Sequence, residues 1–219
     1  MRTKLKFFLI FSISMFLLIA AWIAWETKAG DNNSYVWHGD ITRDKLAEFR
    51  DKLEKRSDLT GIEFRNSTGA KKAAGILITE IEGDIKNRKL ATYVRGYCAS
   101  ACADAFLLGT TRTMYPSYLG MPTQLALHPA TALGERNSGL TDVVNRKIVA
   151  ASGGKFPLEL LDRMYEISGK SGMLSIYATP HKTSRGTAHV VLCRGDEKPS
   201  ECEPIPGFTP EALGIQLAE

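Results

Sequence analysis

The chain has 219 residues, of which 44% are hydrophobic, and this length is typical of one domain with a substantial core. Of its formal charge of +4, the first 29 residues supply three, because Arg2, Lys4, Lys6 and Lys28 face only Glu26 there. The remaining part is almost neutral. Because nucleic-acid binding proteins carry clustered basic residues, this charge balance argues against a nucleic-acid partner.

The N-terminal segment combines basic residues with a long apolar stretch. Phe7–Trp25 is a run of 19 residues without a charge, which is long enough to cross a bilayer. A cleaved signal peptide usually has a shorter apolar run followed by small residues, and Thr27-Lys28-Ala29 fits that pattern poorly. Residues 1–29 are therefore predicted to be a transmembrane signal-anchor, with a cleaved signal peptide as the alternative. Because the preceding positive charges stay in the cytoplasm, residues 30–219 are expected outside it. This domain would lie on the periplasmic or extracellular side of the inner membrane, or in the periplasm after cleavage.

Helix and strand patterns alternate through the rest of the chain. Leu46, Phe49 and Leu53 recur at helical spacing after Thr42, and similar periodicity predicts a helix over Ala73–Ile85. The other predicted helices cover Ala101–Leu108, Asp142–Ala151 and Leu158–Ser168, and the predicted strands include Val36–His38, Ile62–Phe64, Leu90–Val94 and Leu125–Leu127. This alternation predicts an α/β fold with a mostly parallel sheet.

The four cysteines suit an exported domain, because disulfides persist outside the cytosol. Cys193 and Cys202 flank the polar segment RGDEKPSE, so we predict a hairpin closed by a disulfide there. Cys98 and Cys102 lie on either side of Ser100, and their spacing permits either a bond or two buried thiols. Neither pair has the C-x2-C spacing of a zinc site, so no metal is expected.

Ser100 and His128 are the candidate reactive residues. Ser100 lies where a strand turns into a predicted buried helix, a position that favours developing negative charge. An ordinary helix N-cap is the alternative interpretation. His128 follows a predicted strand and could accept the serine proton, although a surface histidine is equally compatible with its position.

The segments NSTGAKKAAGILITEIEGDI, VRGYCASACADAFLLGTTRTMY and LALHPA resemble the ClpP proteolytic-subunit family. The resemblance covers residues 36 to about 178 and is closer to exported ClpP-like serine proteases with a C-x-S-x-C segment. It implies a ClpP/crotonase-like fold of repeated ββα units in a spiral. It also implies Ser100 as nucleophile, His128 as base, and an oxyanion hole formed by the amides of Ala70 and Ala101. No cofactor is implied.

The chain also departs from the family pattern. Thr68 and Ala70 replace the proline and second glycine of the family's glycine loop. The third catalytic residue, an aspartate, would fall near Met164, where Asp162 and Glu166 are the available acids. The segment between His128 and Gly153 is shorter than the part that joins the family's two rings. Hence no ATP-dependent unfoldase partner is expected, while a homo-oligomer is still compatible. A C-terminal extension begins at about residue 179.

Three functions are compatible with these residues. The first is a membrane-anchored or periplasmic serine hydrolase, a peptidase acting on peptide or protein substrates. The second is a catalytically inactive ClpP-like binding or scaffolding protein, consistent with the unassigned acid and the altered loop. The third is a thiol-disulfide module built on Cys98 and Cys102, although the sequence lacks the C-x-x-C motif of such proteins.

Overall fold

The computed structural model describes residues 33–132 and 134–218. The predicted span Phe7–Trp25 lies outside the described residues. Within the described ranges, no helix has the length and apolar character that crossing a membrane requires. The helices are α1 (Arg43–Lys55), α2 (Ala74–Arg88), α3 (Ala101–Leu107), α4 (Ser138–Ala151) and α5 (Leu158–Asp162), and α5 continues as a 3-10 helix over Arg163–Glu166.

The strands form one central sheet and two small two-stranded ribbons. The ribbons pair β5 (Ser117–Tyr118) with β6 (Met121–Pro122), and β8 (Thr131–Ala132) with β9 (Glu135–Arg136). The central sheet contains β1 (Ser34–His38), β2 (Gly61–Ser67), β3 (Ala91–Ala99), β4 (Arg112–Met114), β7 (Gln124–Leu127), β10 (Met173–Thr183), β11 (Gly186–Cys193), β12 (Glu203–Ile205) and β13 (Gln216–Leu217).

The first half of the central sheet is parallel. Strands β1, β2 and β3 are neighbours in chain order, and each pair is parallel. Beyond β2, strand β3 has two further parallel partners: its first half pairs with β4 and its last residues pair with β7. The carboxyl ends of β2, β3 and β7 therefore lie at the same edge of the sheet. The α/β class with a mostly parallel sheet agrees with the sequence prediction.

The second half of the sheet is antiparallel. Strand β10 pairs with β7 and β11, and β11 pairs with β12. The last strand, β13, returns to the parallel half beside β4. The region after residue 179, which the resemblance leaves out, therefore supplies strands to the same sheet.

The helices form because their apolar residues recur on one face and their first turns are capped. Leu46, Phe49 and Leu53 of α1 are buried as their spacing predicts. Thr42 caps this helix by accepting a hydrogen bond from the amide of Lys45. In the same way Asn137 caps α4, so that helix begins earlier than predicted. Each helix packs against the next one along the chain, which brings α2, α3 and α4 together.

Candidate active site

Ser100 and His128 follow two paired parallel strands. Ala99 at the end of β3 lies opposite Ala126 of β7, and the amide of Ser100 donates to the Ala126 carbonyl at 2.8 Å. Since both strands run in the same direction, the residues that follow them emerge at the same edge of the sheet. The register of this pair is what brings His128 to the side of the molecule where Ser100 lies.

Ser100 forms a sharp turn between β3 and α3. Its backbone has φ 55° and ψ −129°, a conformation that non-glycine residues rarely adopt. Although Ser100 occupies the N-cap position of α3, its side chain makes no capping hydrogen bond, unlike those of Thr42 and Asn137. Across residues 33–132 and 134–218, the Ser100 hydroxyl has no hydrogen-bond partner at all. The capping role considered for Ser100 is therefore not the one its side chain performs.

The loop after β2 packs directly on the Ser100 turn. Gly69 has φ +89°, and a Cβ there would lie 2.6 Å from the Ala99 carbonyl and 2.9 Å from the Ala101 amide nitrogen. Only glycine permits this approach. The loop is fixed from the other side, where the Gly69 carbonyl accepts from Ile41 at 2.8 Å and the Thr68 hydroxyl donates to Asp40. Thr68, at the position where the family pattern has proline, therefore still holds the loop in place.

Two amides near Ser100 are available to an external acceptor. Ala101 begins α3, and amides in the first turn of a helix have no acceptor within the helix. The amide of Ala70 donates no hydrogen bond to any residue that the structure describes. Both residues line the same cavity as Ser100. They are the two positions that the resemblance assigns to an oxyanion hole.

His128 is half-buried, and its orientation is set by a backbone carbonyl. Its Nδ1 lies 2.9 Å from the carbonyl oxygen of Pro129. Because a carbonyl can only accept, Nδ1 must carry the proton, which leaves the lone pair of the neutral ring on Nε2. Among the described residues, no hydrogen bond joins His128 to Ser100.

A cavity of about 290 Å³ brings these groups together. Its lining contains Ser100, His128, Ala70, Ala101 and Asp104. The other lining residues come from the glycine loop, α2, α4 and the segment after His128: Thr68, Ala74, Gly75, Ile78, Ala130, Thr131, Leu140 and Val144. The cavity is near the lower end of the usual size range for ligand pockets, about 300–1,000 Å³.

The acids predicted as third members lie elsewhere. Asp162 is exposed at the end of α5. Glu166 forms ion pairs with Arg163 and Arg194, and the hydrogen bond from Arg163 is the main cause of its lowered pKa. Neither Asp162 nor Glu166 lines the cavity. The structure therefore brings together the predicted serine, histidine and two amide positions but not the predicted acids.

The sequence alone assigned no role to two residues near Ser100. Asp104 lines the cavity, and Gly69 packs on the Ser100 turn. Asp104 is an acid inside a helix whose other residues are all buried and apolar, and that pattern was visible in ACADAFL. Burial raises the pKa of Asp104 to about 7. The role of Gly69 depends on the approach of a distant strand end, which no local sequence pattern reveals.

The four cysteines form two disulfides. Cys193 and Cys202 are joined with Cα atoms 4.7 Å apart, and they link β11 to the segment before β12. Cys98 and Cys102 are also joined, with Cα atoms 5.3 Å apart, so this bridge encloses Ser100. Both cysteines of the Cys98–Cys102 bridge are fully buried. Since thiol-disulfide exchange requires access to a sulfur atom, this burial disfavours the redox function.

Comparisons with known proteins give a likeness in fold. No family model matches the chain, and no curated protein matches it in sequence. Among solved structures, ClpP1 from Listeria monocytogenes matches with 18% identity and a TM-score of 0.47, over 60% of this chain and 77% of that one. A point mutant of the same ClpP1 matches with 20% identity and a TM-score of 0.45, over the same shares. This likeness is to the ClpP fold alone, so the chemistry of the cavity must be argued from its own residues.

Proposed function

We propose that the chain is a serine hydrolase, a peptidase with a ClpP/crotonase-like fold that acts through an acyl-enzyme at Ser100. The observation that carries the proposal is the strained backbone of Ser100, which turns an uncapped hydroxyl toward a cavity that also contains His128. Strain of this kind costs about 1–3 kcal/mol, persists only where the surrounding structure fixes it, and is concentrated at active sites. A serine on a strained turn between strand and helix is the usual arrangement of an exposed nucleophile.

The proposed reaction uses groups that line the cavity. Ser100 Oγ attacks the carbonyl carbon of a peptide bond while Nε2 of His128 takes the hydroxyl proton. The amides of Ala70 and Ala101 donate to the oxyanion, and the imidazolium returns its proton to the leaving amine. Water then attacks the ester while His128 takes a proton from it. His128 gives that proton to Ser100 Oγ, which releases the acid and frees Ser100. No cofactor takes part.

The carbonyl of Pro129 replaces the usual carboxylate partner of the base. It fixes the productive tautomer of His128, but a neutral acceptor stabilises an imidazolium less than a carboxylate does. This replacement is also the observation that favours the second candidate function. In that case the cavity binds peptide segments without cleaving them.

We place this activity outside the cytoplasm, on a domain anchored by residues 1–29 or released into the periplasm. The uncharged run Phe7–Trp25 and the two disulfides support that location. Protease treatment of intact spheroplasts tests it, since an external domain is degraded and a cytoplasmic one is protected. A C-terminal segment from about residue 179 belongs to the same proposed domain.

Labelling of the full-length protein with a fluorophosphonate tests the nucleophile. We expect wild type to be labelled and Ser100→Ala to lose labelling at least about 1,000-fold. His128→Ala should lower the labelling rate by a comparable factor, because the two groups act as a unit. Ser57→Ala, a change at an exposed serine of the α1–β2 connection, is the matched control and should be labelled normally. Wild-type protein that is folded but not labelled would contradict the hydrolase function.

A further inference from the structure

Asp104 is an unpaired acid in the wall of the cavity. The other six residues of the seven-residue helix α3 are buried and apolar, whereas Asp104 faces the cavity. Across residues 33–132 and 134–218, its carboxylate has no hydrogen bond and no ion pair. The adjoining walls are apolar side chains of α2 and α4, including Ile78 and Val144.

Within the described ranges, the two buried acids, Glu63 and Glu82, have cationic partners. Fully buried Glu63 lies against Arg65 and Arg95, and Glu82 accepts from Lys86 and Lys147. Among the carboxylates of the described residues that are not exposed, Asp104 alone lacks any partner. Removing a carboxylate from water without compensation is costly, and its raised pKa reflects that cost.

Asp104 is not placed to act as the missing partner of His128. Orienting the base requires a hydrogen bond at Nδ1, and that atom is held by the Pro129 carbonyl. A bond to Nε2 would occupy the atom that must accept the serine proton. Asp104 is therefore better explained as a group that meets a ligand.

The position of Asp104 defines the ligand's charge and length. Asp104 is one helical turn beyond Ser100, and four residues of helix rise about 6 Å. A lysine side chain has a four-carbon stem that packs on apolar surface and ends in an ammonium group. Such a side chain would extend from the attacked carbonyl, between the walls from α2 and α4, to the carboxylate. The small cavity volume suits one side chain better than a larger ligand.

We propose that Asp104 forms the floor of a specificity pocket, and that the peptidase prefers substrates with lysine or arginine at the residue whose carbonyl Ser100 attacks. This inference rests on the proposed serine hydrolase function. The cationic side chain of the substrate forms the ion pair that the Asp104 carboxylate lacks within the described residues.

Matched substrates test the preference on the full-length protein. Peptide aminocoumarins with lysine or norleucine at the cleaved residue differ mainly by the ammonium group. We expect wild type to favour lysine at least 10-fold in kcat/KM, and Asp104→Asn to reduce that ratio at least 10-fold. The norleucine substrate should change less than 3-fold, and fluorophosphonate labelling of Ser100 should be retained. Asp44→Asn, the same change at an exposed residue of α1, should keep the wild-type ratio. A wild-type preference for norleucine, or an unchanged ratio in Asp104→Asn, would overturn the proposal.

Calorimetric titration with n-hexylamine and n-hexanol separates the pocket from the chemistry. The protonated amine should bind to wild type at least 10-fold more tightly than the alcohol, and Asp104→Asn should abolish that difference. Amine binding together with absent serine labelling would contradict the hydrolase function but support the cationic pocket. Serine labelling together with equal binding of amine and alcohol would support the hydrolase and reject the pocket.

Discussion

At the scale of single residues, Ser100 distinguishes a structural position from a functional one. A capping serine adopts an extended backbone and accepts from the first-turn amides, as Thr42 does with Lys45. Ser100 instead has a positive φ and no capping bond. Local sequence could not separate these two cases, because both place a serine immediately before a helix. The difference arises from Gly69, which packs on the turn from a distant loop.

Replacement of Ser100 by glycine should therefore stabilise the protein. Glycine adopts positive φ without the Cβ penalty, and this gain, about 1–3 kcal/mol, exceeds its entropic cost of about 0.5–1 kcal/mol. We expect the free energy of unfolding in urea to rise by about 1 kcal/mol while serine labelling is lost. Ser100→Ala should lose labelling without that gain. A loss of about 1 kcal/mol in Ser100→Ala with none in Ser100→Gly would instead identify an ordinary cap.

Asp104 should make stability depend on pH in a defined direction. Its pKa in the folded protein is about 7, above the usual value of 3.8, so the folded state binds its proton more tightly than the unfolded state. Its contribution to stability is thus fully present below about pH 4 and is lost as the pH rises through 7. Asp104→Asn does not titrate, so its stability relative to wild type should increase between about pH 4 and 7 and level off above about pH 8. Urea unfolding across this range checks it, and a constant difference would contradict the assigned burial.

At the scale of elements, periodicity predicted the helices and strands whose structure is decided by an apolar face alone. Helices α1 and α2, the first residues of β3 and the end of β7 could be anticipated in this way, whereas the predicted strand Leu90–Val94 ended five residues before β3 does at Ala99. The short strands β4, β5 and β6 could not, because two or three residues carry no detectable period. The predicted helix over Leu158–Ser168 is shorter in the structure: α5 ends at Asp162 and a 3-10 helix follows. The backbone is already extended at Ile167, so no helix reaches Ser168.

The bridge between Cys98 and Cys102 joins the end of β3 to the first turn of α3 around Ser100. Replacing both cysteines by alanine should preserve the fold, because the surrounding strand and helix are buried. It should cost about 2 kcal/mol in unfolding free energy, as expected for closure of a very short loop. Removal of the constraint on the strained turn should also lower the rate of serine labelling at least 10-fold.

The second disulfide provides the matched control for that experiment. Replacing Cys193 and Cys202 by alanine should lower the unfolding free energy by a similar amount, because the loop that this disulfide closes is only slightly longer. The labelling rate should stay within about 2-fold of wild type. Equal labelling rates in both double variants would mean that the bridge around Ser100 supports the fold alone.

At the scale of the whole molecule, the C-terminal region completes the domain rather than extending it. The family resemblance ends at about residue 178, yet β10 to β12 continue the sheet beyond β7 and β13 pairs with β4. Leu213 and Ile215 belong to the main hydrophobic core. No local pattern could signal this return, because the pairing of β13 joins residues about 100 positions apart.

Arg112 connects this return to the helices that form the cavity. Its guanidinium donates to the carbonyls of Leu107, Ala151 and Gly214, at 3.3, 3.0 and 3.2 Å. Leu107 and Ala151 are the last residues of α3 and α4, so the same side chain holds both helix ends and the C-terminal segment. A cation at these carbonyls also complements the negative ends of the helix dipoles.

Deletion of residues 209–219 should consequently destabilise the domain and loosen its cavity. Loss of two buried aliphatic side chains costs about 1.5–3 kcal/mol each, so we expect a decrease of about 3–6 kcal/mol in unfolding free energy. Leu213→Ala should retain the fold at a cost of about 2–5 kcal/mol, which provides a measurement if the shortened chain does not fold. Gln216→Ala, an exposed change in the same segment, should alter stability by less than about 0.5 kcal/mol. Urea midpoints unchanged by both the deletion and Leu213→Ala would mean that the C-terminal segment is an appendage, and that α3 and α4 are held in place without it.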